Sequence, residues 1–116
     1  MGKAVILIVD DEQEILNMLS RFLKRRGHKV FTAGNITEGK DQMRTANPDF
    51  LFLDVNLPDG NGLQAVPEFI QLNPQMNVIL MSAFSDSGMQ VLAKKKGAKA
   101  FLSKPFSLEA INQLIE

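Results

Sequence analysis

The chain has 116 residues, 45% hydrophobic and 22% charged, the profile of one ordinary soluble domain whose core forms without staples. Its 13 Lys plus Arg balance 13 Asp plus Glu, which argues against a nucleic-acid module working by bulk positive charge. With no cysteine, disulfides, thiolate zinc sites, cysteine-ligated iron–sulfur clusters and cysteine nucleophiles are excluded.

The first element is the apolar run Ala4 to Val9, continuous and β-branched, as in a strand buried on both faces. It is too short for a bilayer span or a secretory signal core. Ile6 also stands where a myristoylation motif needs Ser or Thr, so a cytoplasmic protein with no membrane partner is expected. After Asp10-Asp11-Glu12, the residues Ile15, Leu16, Leu19, Phe22 and Leu23 recur at helical spacing. That helix runs into Lys24-Arg25-Arg26, which complement its dipole, and stops at Gly27.

The unit then repeats. Lys29 to Ala33 reads as a strand and Thr37 to Ala46 as a helix weakened by Gly39. Asn47-Pro48 is a turn. Asp49 to Leu53 is a third, strongly apolar strand ending at Asp54, and Leu57 to Gly62 is dense in turn residues. Leu63 to Leu72 reads as a helix, in which Pro67 is tolerable only if it lies in the first turn. Asn77 to Met81 is a strand ending at Ser82, and Asp86 to Lys96 is a helix closed by Gly97. Lys99 to Leu102 is the last strand, ending near Lys104-Pro105, and Ser107 caps a final helix. Strands alternating with helices in this way predict an α/β fold, with one parallel sheet covered on both faces and a single domain over residues 1–116.

The polar residues gather at strand ends. Asp10 and Asp11 follow the first strand, Asp54 the third, Ser82 the fourth and Lys104 the fifth. In an open parallel sheet these ends share one edge, where ligands bind. Three close carboxylates need a cation to stay ionised, or else one of their pKa values rises, and an all-oxygen donor set suits Mg²⁺. Carboxylates, Mg²⁺, an ammonium and a hydroxyl together suit an incoming phosphoryl group. One carboxylate would then be the nucleophile, giving an aspartyl phosphate. Asp54, alone at the end of the central strand, is the best candidate.

Four stretches carry a resemblance: Ile8-Val-Asp-Asp-Glu12, Leu51-Phe-Leu-Asp-Val-Asn-Leu-Pro-Asp-Gly60, Met81-Ser-Ala83 and Phe101-Leu-Ser-Lys-Pro105. In them the chain resembles a receiver domain of the two-component response-regulator family, of chemotaxis-regulator type, over essentially its whole length. The resemblance implies a flavodoxin-like five-stranded parallel sheet of order 2-1-3-4-5 with helices on both faces. It implies phosphorylation of Asp54 from a phosphohistidine on a sensor histidine kinase or phosphotransfer protein. It places Asp11, Asp54 and the Asn56 backbone carbonyl on Mg²⁺, with Asp10 acting largely through water. Lys104 and Ser82 would bind the phosphoryl oxygens, Ser82 and Phe101 would form the switch, and Lys104-Pro105 would be a cis peptide. The domain would not be an enzyme in its own right but a phosphoacceptor assisting its own phosphorylation and dephosphorylation. It would act on an effector or output domain, with no direct nucleic-acid contact. Phe101 stands where many relatives carry Tyr, Ser82 is a common alternative to Thr, and Asn56 and Phe84 sit where the family tunes phosphoryl lifetime. The last helix stops soon after Lys104, so a receiver excised from a longer regulator is expected, a free-standing phosphorelay protein being the other reading.

Duller readings compete at single positions. Asp10-Asp11 could cap a helix, Asp54 could be a turn residue, Ser82 a cap and Lys104 a surface lysine; joint placement at four strand ends outweighs them. His28 reads as an exposed turn residue, Lys94-Lys95-Lys96 as a helix C-terminus, and Met18, Met43, Met81 and Met89 as core or near-core fillers. Two other functions compete with this reading. An aspartate-nucleophile phosphatase of haloacid-dehalogenase type needs a general-acid Asp two residues after the nucleophile, where Asn56 stands. A flavodoxin-type binder needs a hydroxyl- and glycine-rich phosphate loop after the first strand, where this chain is acidic.

Overall fold

The computed structural model describes residues 3–84 and 86–115. Five strands, β1 (Val5–Val9), β2 (Lys29–Ala33), β3 (Phe50–Asp54), β4 (Asn77–Ser82) and β5 (Ala100–Ser103), form one sheet. All neighbours are parallel and the order is β2-β1-β3-β4-β5, as the resemblance implied. The helices between and after them are α1 (Gln13–Arg25), α2 (Ile36–Ala46), α3 (Gly62–Leu72), α4 (Ser87–Lys95) and α5 (Leu108–Ile115).

Alternation along each strand divides the core in two. Leu7, Val9, Leu51, Leu53, Val78 and Leu80 face one side, where they meet Met43 of α2, Val66 and Phe69 of α3 and Ala93 of α4. Ile6, Ile8, Phe52, Ile79 and Met81 face the other, where Leu16, Leu19 and Leu23 of α1 and Ile111 of α5 cover them. A fully buried side chain of this kind contributes about 1.5–3 kcal/mol. Burial on both faces is why β1, β3 and β4 are uninterrupted apolar runs.

Several local details differ from expectation. α3 starts at Gly62 behind the Asn61 cap, and Pro67 lies in its second turn. Pro67 removes an N–H that the Leu63 carbonyl would have accepted, and the burial of Leu63, Ala65, Val66 and Phe69 holds the helix regardless. The turn-rich stretch after Asp54 contains a small antiparallel hairpin, Asn56–Leu57 against Gly60–Asn61. Met18 is 37% exposed, outside the core. His28 is half-buried, its Nδ1 accepting the Ala4 N–H at 3.0 Å, so it anchors the start of β1 instead of lying free in solvent. Gly27 (φ +93°) and Gly97 (φ +112°) take the left-handed backbone that ends α1 and α4.

One consequence of this topology is charge segregation. Strands run toward one edge and helices return from it. The edge with the strand C-termini collects Asp10, Asp11, Glu12, Asp54, Asp59 and Asp86. The opposite edge collects Lys24, Arg25, Arg26, Lys29, Arg44, Lys94, Lys95, Lys96 and Lys99, with Asp49 among them.

Candidate functional site

Flush strand ends bring the polar residues together. Val9 pairs with both Ala33 and Leu53, Asp54 with Met81, and Ser82 with Ser103, so the residues at or just past these pairs share one rim. Asp10 has no exposed surface and Asp54 is only 4% exposed. A carboxylate is buried to this degree only when paired or hydrogen-bonded. Lys104 supplies the pairing: its Nζ is 2.9 Å from Asp10 Oδ2, 2.7 Å from Glu12 Oε1 and 3.5 Å from Asp54 Oδ2. The Glu12 backbone N–H donates to Asp10 Oδ1 at 2.8 Å, which fixes that carboxylate from its other side.

The electrostatics follow from this packing. Burial, reinforced by the Asp10 charge, pushes the Asp54 carboxyl up to about 6. The nearby Lys104 charge and the Asn56 backbone N–H, which donates to it, hold it from rising further. Burial works against the Lys104 ammonium, but its hydrogen bonds to Glu12 and Asp10 and the charges of Asp10 and Asp54 outweigh that, and its pKa lies above the ordinary lysine value.

The backbone around the site is tightly built. The Val55 N–H donates to Met81 O at 2.9 Å, and the Gly62 N–H to Val55 O at 2.7 Å. This draws the start of α3 against β3 so closely that a Cβ on Gly62 would collide with the Asp54 carbonyl oxygen. Asp59, in the hairpin turn, accepts from the Ile36 and Thr37 N–H groups at 2.8 and 3.0 Å and from Thr37 Oγ1 at 2.9 Å. The loop after Asp54 is thereby tied to the N-terminus of α2.

Ser82 is 1% exposed; its Oγ accepts the Phe84 N–H at 3.0 Å, and its carbonyl accepts the Lys104 N–H at 2.8 Å. The Lys104–Pro105 peptide is cis. Phe101 pairs with Leu80 and is half-buried against the core beneath α2, α3 and α4. Asn56 is exposed at the base of the hairpin. Among the described residues, the acidic group whose carboxylate oxygens lie within 4.8 Å of one another is Asp10, Glu12 and Asp54. Asp11 is exposed and stands outside that group.

Glu12 is the site residue that sequence reasoning passed over. It occupies the N-cap position of α1 without capping it. A signal was present: Ser, Thr, Asp and Asn are the usual residues there, and a longer carboxylate in their place is free for another partner.

The family model for the response regulator receiver domain matches residues 6–116. The chain belongs to this family. The receiver domain is 34% identical over 116 residues to the DNA-binding transcriptional regulator NtrC of Azospirillum brasilense, covering 100% of this chain and 24% of that protein. It is 35% identical to the chemotaxis protein CheY of Thermotoga maritima, covering 98% of each chain. Among solved structures it is similar to a response regulator protein from Burkholderia pseudomallei with a phosphorylated aspartic acid, calcium ion and citrate. That match has a TM-score of 0.89 at 27% identity and covers 96% of the receiver domain and 65% of the other chain.

Proposed function

We propose that this receiver domain is a phosphoacceptor of a two-component system. Asp54 takes a phosphoryl group from a phosphohistidine on a sensor histidine kinase or phosphotransfer protein, and an effector or output domain reads the result. The observation that carries this reading is the meeting of buried Asp10 and Asp54 around one ammonium, Lys104, from three separate strand ends. The phosphorylated aspartic acid of the Burkholderia pseudomallei relative supports it.

The donor set fits a hard divalent cation. It is all oxygen: carboxylate oxygens of Asp10, Glu12 and Asp54 lie within 4.8 Å of one another around a single ammonium, leaving excess negative charge, and Asp11 is an exposed carboxylate next to Asp10 in the chain. Asp10, Asp11 and Asp54, with the Asn56 backbone carbonyl, would hold Mg²⁺, Asp10 largely through water. When bound, the ion supplies positive charge for the phosphoryl oxygens.

The chain's own groups do the rest. An Asp54 carboxylate oxygen attacks phosphorus; the O–P bond forms as the P–N bond to the donor imidazole breaks, and the imidazole leaves with that electron pair. The Lys104 ammonium faces the transferred oxygens. Ser82, whose oxygen accepts the Phe84 N–H, keeps its own proton available for a phosphoryl oxygen. Ser82 moves toward the new group, Phe101 turns inward, and the surface of α4, β5 and α5 changes. Attack of water on phosphorus regenerates Asp54, so the domain assists both formation and loss of the phosphoryl group. The setting proposed is cytoplasmic; among the described residues no helix is long and apolar enough to cross a membrane. The phosphatase reading gains no support, since Asn56 has no ionisable proton to give a leaving group.

The test is mass spectrometry after incubation with acetyl phosphate and Mg²⁺. One acid-labile phosphoryl group on Asp54 is expected, and none in Asp54→Asn. Undiminished labelling of that variant would move the acceptor elsewhere.

A further inference from the structure

We propose that Glu12 is a positioning residue: it holds the Lys104 ammonium in a resting place and lets it go when a phosphoryl group arrives on Asp54. The inference rests on the phosphoacceptor reading above and adds a residue to it.

An ammonium has three N–H donors. Here two make short bonds, 2.7 Å to Glu12 and 2.9 Å to Asp10, while Asp54 stands at 3.5 Å, beyond a strong charge-assisted bond. The third donor is open to a phosphoryl group on Asp54, but a short bond there draws the ammonium toward Asp54, so one of its two short contacts has to lengthen. The two are not equivalent. The Asp10 side chain has no exposed surface, and releasing it would strand a buried charge. The Glu12 side chain is 59% exposed and can turn into water at small cost.

The released carboxylate also has somewhere to go. α2, α3 and α4 are capped by the side chains of Asn35, Asn61 and Asp86, and Ser107 Oγ accepts the Ala110 N–H at the start of α5. α1 has no side-chain cap, although Glu12 occupies that position, because its carboxylate is turned to Lys104. A freed Glu12 carboxylate lies at the positive end of the α1 dipole, where negative charge is favoured. Glu12 therefore has two resting places, Lys104 and the first turn of α1, and occupancy of Asp54 selects between them.

Four proteins test this: wild type, Glu12→Gln, Glu12→Asp and Glu14→Gln. Glu14 is an exposed carboxylate in the same first turn. Glu12→Asp keeps the charge and shortens the reach. In the metal-free protein, proton exchange of the Lys104 ammonium is followed by ¹⁵N NMR. At saturating Mg²⁺, the rate of labelling by acetyl phosphate is measured. Slow ammonium exchange is expected in wild type and Glu14→Gln, and fast exchange in both Glu12 variants. Both Glu12 variants should label about 2- to 5-fold faster, the size expected for losing one half-exposed ion pair, with Glu14→Gln unchanged. Faster labelling in Glu12→Gln alone would mean simple charge repulsion and overturn the inference. So would equal rates in wild type and Glu12→Gln, which would leave the phosphoacceptor reading standing. Absence of Asp54 labelling in wild type would defeat that reading and this inference with it.

Discussion

The Lys104 ammonium is held closer to Asp10, at 2.9 Å, than to Asp54, at 3.5 Å, and Asp10 is the carboxylate with no exposed surface. In the absence of a divalent cation, Lys104 is thus the counter-ion that makes burial of Asp10 tolerable. Lys104→Ala should cost about 3–5 kcal/mol in chelator, the penalty of leaving a buried charge without its partner. The same variant should retain Mg²⁺ binding and tighten it, since a competing cation is gone. Urea unfolding with and without Mg²⁺ checks both: the deficit should shrink when the metal is added. Lost Mg²⁺ affinity would contradict this role for Lys104.

Asp54 gives a pH dependence with a definite sign. Burial and the Asp10 charge raise its carboxyl from 3.8 to about 6, so the folded chain takes up this proton more readily than the unfolded one. The stability it contributes is complete below the unfolded value and is lost as pH rises through about 6. Mg²⁺ favours the ionised form, so its affinity should weaken as pH falls below that point. A ¹³C titration of the Asp54 carboxyl should show a midpoint near 6 without metal and a lower one with Mg²⁺.

Gly62 sets the distance between α3 and the site. Gly62→Ala forces a Cβ into the Asp54 carbonyl, and overpacking of this kind costs typically about 1–3 kcal/mol. Gly88→Ala, whose Cβ would meet only Asp86 Oδ1 at 3.4 Å, should lie within about 1 kcal/mol of wild type because a helix favours Ala over Gly. Thermal melting separates the two, and Asp54 labelling should slow in the first alone.

Asp59→Ala removes three hydrogen bonds that tie the loop after Asp54 to α2. The Ile36 and Thr37 N–H groups hold this carboxyl below its usual range, so its contribution is present above the ordinary carboxylate pKa and fades as pH falls. The variant should melt lower than wild type at about pH 7, and the gap should narrow at about pH 3. A constant gap would assign the loss to packing.

The sequence displays most of this fold because strands buried on both faces leave unmistakable apolar runs, and because Asp10, Asp54, Ser82 and Lys104 each stop one. What stayed hidden depends on contacts distant in the chain. Gly39 looks like a weakness in α2 until Val9 and Phe69 appear: a Cβ there would sit 2.9 Å from Val9 Cγ2 and 3.2 Å from Phe69 Cζ. Nothing local to Thr37–Ala46 carries that information. His28 reads as a turn residue because its partner, the Ala4 N–H, lies across the chain. Glu12 escaped for the same reason, its Lys104 partner being supplied only when β5 completes the rim. α3 starts one residue before the expected Leu63 because Gly62, a poor helix former, begins it where the close approach to Asp54 demands it.

The unequal sharing of charge between the two edges gives a molecule of zero net charge a dipole moment. Such a body is neither drawn nor repelled as a whole by a distant uniform field, yet it experiences torque. Near a cationic partner it rotates before touching, presenting the rim that carries Asp54. Added salt shortens the range of that alignment to the Debye length, about 8 Å at physiological ionic strength, so productive encounters should become rarer in concentrated salt even where the final contacts are unchanged.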